Sequence, residues 1–272
     1  MTGRIIVHPV TGQSFHIGGC LRPEGGHPRA NLALFKTPAW PKARPSCNYA
    51  AAATDPLSKL WGNDRYGDCV DVALFRNSAV KRCNGGTYDA AYVDDDVLGF
   101  YSRNTGFIAS DPSTDQGSDP ISAMQYAGTN GLLPDGTHKV IGFLVVDATD
   151  PEEVFSAIDV FEGLMSVCEL PAAWISPPPA ASGFTFDVAG SPNPNDGHAT
   201  FLVDYPDFTK ANISTWGMDG WLTIAAMAKY FSGETGALYV LLTQDILDKA
   251  KAKTPDGLDW PGVEAMFAAV GG

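Results

Sequence analysis

Positive charge is scarce in this 272-residue chain: 18 Lys and Arg stand against 31 Asp and Glu, a net charge of −13. So acidic a surface repels phosphates, so no nucleic-acid partner is expected. Long apolar runs are also missing. No stretch reaches the ~18 residues of a membrane helix, so no membrane partner is expected. The first residues, MTGRIIVHPVTG, lack the apolar segment and small-residue cleavage site of a signal peptide, and none is expected. Cysteine is sparse. Cys20, Cys47, Cys69, Cys83 and Cys168 are an odd number with irregular spacing and no CxxC pair, which argues against a zinc cluster or a disulfide framework. The five histidines show no metal-ligand spacing. Asp94-Asp95-Asp96 lacks the glycine an EF-hand loop needs and reads as an acidic loop. No cofactor and no metal are expected. Repeats at solenoid or propeller spacing are absent.

Apolar residues form 44% of the chain and aromatics 11%, enough for a globular protein with a sizeable core. The 29 glycines and 20 prolines predict many turns and long connections. Charge is uneven. Residues 1–50 hold Arg4, Arg22, Arg29, Lys36, Lys42 and Arg44 against Glu24 alone. A basic arm on an acidic body can dock onto that body or onto an acidic neighbour.

Residues 4–18 read as two strands around a turn at Thr11-Gly12. Residues 19–55 have little periodicity and read as an extended arm. Helices are predicted over 69–82, with Asp68 as N-cap, over about 89–103, and over about 121–130 after Asp119-Pro120. VIGFLVV (140–146) reads as a buried strand. Asp150, Pro151 and Glu153 open a helix, and LMSVCEL (164–170) is a strand. Residues 171–196 read as irregular. Strands follow at 198–205, 213–217 and 237–243, with 221–231 ambiguous and a helical tail from Asp245. Helices first and strands second suggest an α+β protein with two lobes.

One segment carries chemistry: Trp61-Gly62-Asn63-Asp64-Arg65-Tyr66-Gly67-Asp68-Cys69-Val70. A cysteine in the first turn of a helix sees the positive end of the helix dipole, which favours thiolate. Gly67 allows close approach of a substrate backbone. Asn63 has side-chain N–H groups to offer a developing oxyanion. Asp196-Gly197-His198-Ala199 then places a histidine at the head of a strand, where it can pair with a thiolate and protonate a leaving group.

This ordered set resembles the papain-like cysteine peptidase family. That family has a Gln six residues before the cysteine of a Gly-x-Cys at a helix start, a later Gly-His-Ala opening a strand, and a Ser-Trp-Gly-type segment. The chain has Asn63, Gly67-Asp68-Cys69, Gly197-His198-Ala199 and Thr215-Trp216-Gly217 in that order. The loop Gly117-Ser118-Asp119-Pro120 and the stretch from Glu152 to Val167 agree as well. The span is about 61–245. Asn63-Asp64-x-Tyr66-Gly67-Asp68-Cys69 and Thr114-Asp115-Gln116-Gly117 look most like a papain-like group common in bacteriophages and some bacteria.

The resemblance implies a two-lobed papain-like α+β fold with an N-terminal hairpin and extended arm. The hairpin and basic arm would span 1–55, the papain-like domain 56–245, and a helical tail 246–272. Within the domain, a helical lobe (about 61–135) would carry Cys69 and a β lobe (about 136–245) His198. The catalytic candidates are Cys69 as nucleophile, His198 as its base, Asn63 at the oxyanion and Ser214 orienting the imidazole. Ser214 stands where the family has Asn; Asn212 and Asp219 are alternatives for that third role. The implied function is a thiol hydrolase acting on peptide or isopeptide bonds of a protein or peptide substrate. The alternative is a catalytically silent fold serving as a phage virion component, a capsid decoration or minor head or tail protein, joined to virion proteins or a large assembly through the arm 1–55. The corresponding locations are the virion or the bacterial host cytoplasm.

Overall fold

The computed structural model describes residues 3–24, 26, 32, 41–252 and 260–270. The extended arm expected over 19–55 therefore lies outside the described residues at 25, 27–31 and 33–40. The chain opens with a hairpin of β1 (Arg4–Val7) and β2 (Ser14–Ile17), antiparallel, with Arg4 opposite Ile17. His8 Nδ1 accepts the Val10 and Thr11 N–H groups at 3.2 and 3.0 Å, and Gly12 at φ +72° completes the turn.

Four helices follow: α1 (Thr54–Leu57), α2 (Cys69–Gly85), α3 (Asp94–Thr105) and α4 (Pro120–Asn130). Helix α3 begins later than its apolar spacing suggests. The carboxylate of Asp96 accepts the Val93 N–H at 3.0 Å and fixes the start there, with three acids in the first turn complementing the helix dipole. Asp119 caps α4 by accepting from the Ser122 N–H.

The second half builds one sheet. Its elements are β3 (Val140–Val146), α5 (Pro151–Phe161), β4 (Leu164–Pro171), α6 (Ala172–Ile175), β5 (Thr185–Phe186), β6 (Pro192–Asp207), β7 (Lys210–Thr215), β8 (Met218–Thr223), α7 (Ile224–Tyr230), β9 (Gly236–Thr243), α8 (Gln244–Ala252) and α9 (Trp260–Val270). The strand order is β3-β9-β4-β6-β7-β8-β5. The ambiguous stretch divides at Thr223, whose Oγ1 accepts the Ala226 N–H and starts α7. The stretch expected to be irregular contains α6 and β5, and β6 starts six residues before His198. β3 is an edge strand whose burial alternates rather than being complete. Trp216 and Gly217 belong to a turn, both with positive φ, rather than to a strand.

β9 explains the packing. Ala237, Tyr239 and Leu241 face a core shared with α2, α3 and α4. Leu238, Val240 and Leu242 face the opposite core, under α5 and α7. A strand buried on both faces needs an unbroken apolar run, and ALYVLLT supplies it. Helix α2 crosses the middle of the molecule, so even its Asp71, Asn77 and Lys81 are buried. Lys81 Nζ donates to Asn77 Oδ1 at 2.6 Å and to the Leu241 carbonyl at 3.0 Å. Burial still pulls its pKa down to about 7.

The hairpin is part of this core. Phe15 and Ile17 are fully buried in the cluster under α5. The basic segment docks in cis, with Arg4 on Asp196, Arg22 on Glu169 and Arg44 on Asp159.

Candidate active site

Cys69 is the first residue of α2, so its thiol lies at the positive end of a 17-residue helix. The expected N-cap, Asp68, does not cap with its side chain. Its Oδ1 instead accepts the Asn63 Nδ2 at 3.2 Å, and Asp68 and Asn63 are both buried. The Asn63 amide also reaches the Tyr66 carbonyl at 3.5 Å. Thus the side chain expected at an oxyanion is tied to the loop that precedes Cys69.

His198 arrives on β6 from the sheet. Backbone hydrogen bonding from Ala199, the next residue, acts on the Cys69 thiol, so the helix start and the histidine strand meet here. The imidazole stacks on Trp216, with centroids 4.5 Å apart and planes at 21°. Its Nε2 lies 2.8 Å from Thr215 Oγ1. Its Nδ1 is buried with no hydrogen-bond partner among the described residues.

Ser214 does not reach the ring. Its Oγ points toward the Leu57 carbonyl, at 3.4 Å. The reason is strand parity. Ser214 sits opposite Phe201 in the β6–β7 register, an odd three positions from His198, and therefore belongs to the other sheet face. Thr215, one residue on, falls on the face of His198. Asn212 and Asp219 do not touch the imidazole either. Asn212 bonds to Asp204 and Asp219 to Ser214 instead, and each keeps a buried Oδ1 with no partner among the described residues. Sequence reasoning missed Thr215; the alternation of a strand held the signal, but using it requires knowing the register.

Electrostatics keep both groups neutral. Burial lowers the His198 pKa to about 3, and the nearby charges of Arg76 and His16 add to the effect. Burial pushes the Cys69 thiol up, against the Ala199 N–H, while the carboxyls of Asp68 and Asp71 push the same way. Asp71 is itself raised to about 7 by burial; its Oδ2 accepts from Ser118 Oγ at 2.6 Å. Arg76 donates to the Lys59 carbonyl at 2.8 Å, and its Nε is unpartnered. Among the described residues no cluster of His, Cys, Asp or Glu could hold a metal ion.

The chain's own N-terminal segment runs between the Gly197 and Ser118 backbones. Gly18 N–H and Cys20 N–H both donate to the Gly197 carbonyl, at 3.0 and 3.3 Å. On the other side, Leu21 N–H donates to the Ser118 carbonyl at 3.0 Å and Ser118 N–H to the Gly19 carbonyl at 2.9 Å. Cys69 and His198 are left 2% and 1% exposed. His16, on β2, is buried 3.9 Å from Asp115.

No family model matches the chain, and no curated protein matches it. Solved structures do. Digestive procathepsin L2 proteinase from the Tenebrio molitor larval midgut superposes with a TM-score of 0.59 at 12% identity, covering 89% of this chain and 84% of that one. Xylellain, a cysteine protease from Xylella fastidiosa, superposes with a TM-score of 0.50 at 12% identity, covering 65% of this chain and 80% of that one. The fold is papain-like. Within it, Cys69 opens helix α2 and His198 lies on strand β6, next to the Gly197 carbonyl that accepts from Gly18 and Cys20.

Proposed function

We propose that this chain is a thiol hydrolase of peptide or isopeptide bonds, held closed by its own N-terminal segment. One observation carries the reading: residues 18–21 cross between Gly197, next to His198, and the loop at Ser118, hydrogen-bonded through main-chain atoms on both sides. A cleft that binds a main chain from both walls, over a cysteine at a helix N-terminus, is suited to a peptide substrate.

In the open form the His198 ring would meet solvent, regain basicity and take the Cys69 proton. The thiolate attacks the carbonyl carbon, and the oxyanion meets the Cys69 N–H and, once freed from Asp68, the Asn63 amide. Collapse expels the amine, which leaves with the proton from His198, and forms a thioester. Water, deprotonated by His198, then hydrolyses the thioester and frees the acid and the thiol. Thr215, on Nε2, holds the imidazole with Nδ1 toward the cleft. Ser214, bonded to the Leu57 carbonyl, takes no part in the reaction.

The test is Cys69 alkylation by iodoacetamide against pH in an Arg4→Ala chain, which loosens the hairpin, with and without His198→Ala. Rapid labelling persisting to about pH 5 and lost in the double variant is expected of a thiolate–imidazolium pair. A second reading, a silent scaffold such as a virion protein, draws on the neutral, buried pair and the unpartnered Nδ1. It predicts labelling that rises only near pH ~8.5 and ignores His198.

A further inference from the structure

The crossing is built almost entirely from glycine. Gly67 lies two residues before Cys69, Gly117 in the facing loop, and Gly197 directly before His198. The segment between them brings Gly18 and Gly19. The backbones are in contact. A Cβ on Gly19 would stand 2.6 Å from both the Cα and the carbonyl oxygen of Gly67. A Cβ on Gly117 would stand 2.4 Å from the Gly19 oxygen, and one on Gly197 would stand 2.1 Å from the Cys20 oxygen. A Cβ on Gly67 would be 3.3 Å from the Gly19 Cα. Gly18 is at φ +87°, and a Cβ there would meet the Asn195 carbonyl at 2.9 Å. These obstacles are backbone atoms, which cannot swing aside as the end of a flexible side chain would.

From this we infer that the cleft is a main-chain slot selective for Gly-Gly peptides: the substrate class is a chain with two consecutive glycines where it passes Gly67 and Gly197. The inference rests on the hydrolase reading for its chemistry but not for its sterics. On this reading a peptide reaching Cys69 passes the walls that touch Gly18 and Gly19, among them the Gly67 backbone two residues before Cys69. Specificity then comes from rejecting a Cβ, with affinity supplied by the main-chain hydrogen bonds that Gly197 and Ser118 offer. The N-terminal segment blocks the site because it carries this sequence itself.

Two variants of the full chain open the slot by different routes. Gly19→Ala places a methyl against the Gly67 backbone and should expel the segment, raising Cys69 alkylation roughly tenfold or more. Arg4→Ala weakens the hairpin's anchor and leaves the slot untouched. In each, a capped peptide centred on Gly-Gly is compared with its Ala-Ala counterpart for protection of Cys69 against iodoacetamide. Protection by the Gly-Gly peptide at concentrations at least about tenfold lower than the Ala-Ala peptide needs is the expected result. Equal protection, or protection by neither, overturns the slot. So does a folded Gly19→Ala chain whose Cys69 stays as unreactive as in the parent. Turnover is read separately. Selective protection without cleavage of either peptide would leave the slot standing and defeat the hydrolase reading, whereas cleavage of both at similar rates would do the reverse.

Discussion

Arg4 offers the most direct control over the closed site. Its guanidinium forks onto Asp196, with Nε to Oδ1 at 3.1 Å and Nη2 to both oxygens at 2.9 Å. The Asp196 side chain is 1% exposed, whereas that of Arg4 is 56% exposed. Solvent screens the arginine side, so the pair is worth less than a fully buried one. Removing Arg4 nevertheless leaves a buried carboxylate with the Asn193 amide, at 2.6 Å, as its remaining side-chain partner. An under-satisfied buried acceptor costs about 1–3 kcal/mol. Arg4 is on β1, and β1 holds β2, which leads directly into the crossing at Gly18. Opening this hairpin breaks the Arg4–Asp196 contact, so Arg4→Ala makes opening easier by about the same 1–3 kcal/mol. The open population then rises about 5- to 150-fold. When closing is fast relative to labelling, the alkylation rate of Cys69 rises by that factor. The assay is mass spectrometry of iodoacetamide labelling at fixed pH, with Arg65→Ala as an exposed-arginine control whose ion pairs lie outside the hairpin. An unchanged Cys69 rate in an Arg4→Ala chain of lowered thermal stability would refute the view that this hairpin gates the site.

Further outcomes follow from the same geometry. In the Arg4→Ala background, Thr215→Val should slow pH-7 alkylation of Cys69 by about tenfold and move its pH profile upward, whereas Ser214→Ala should leave the profile in place. An identical shift in both would remove Thr215 from the orienting role. The hairpin is expected to behave as core: Phe15→Ala, which removes an edge-to-face contact with Trp216 at 5.2 Å, should cost about 3–5 kcal/mol in urea denaturation, and a loss under ~1 kcal/mol would make the hairpin an appendage. His198 has a folded pKa of about 3, below its ordinary 6.5. The unfolded chain therefore binds more protons between those values, and stability falls as pH drops through 6.5. At pH 5 the penalty is about 2 kcal/mol relative to pH 7. Asp71, raised to about 7, works in the opposite direction, losing stabilisation as pH rises from 3.8 to 7. Comparison with His198→Asn isolates the histidine: the variant should gain about 2 kcal/mol on the parent between pH 7 and pH 5, and parallel urea midpoints at the two pH values would contradict the buried neutral imidazole.

Much of the architecture was legible in the residues. Asp150 and Pro151 announced α5, and the Asp150 carboxylate does accept the Glu152 and Glu153 N–H groups. Thr11-Gly12 marked the hairpin turn. These signals are local: a cap, a turn or a strand run is decided by residues a few positions apart, so it can be read in one dimension. Other features depended on register and contact. Ser214 and Thr215 are neighbours in sequence and equally plausible beside a histidine; the pleat puts them on opposite sheet faces, and only the pairing of β6 with β7 says which face His198 shares. The charge imbalance left open whether the basic segment meets its own acidic body or an acidic neighbour; Asp196, Glu169 and Asp159, which it contacts in the folded chain, lie more than a hundred residues away and became partners through folding. The five glycines at the crossing look unremarkable one by one in a glycine-rich chain. Packing brings the backbones of Gly67, Gly117 and Gly197 against residues 18–20, and only the folded chain shows that contact.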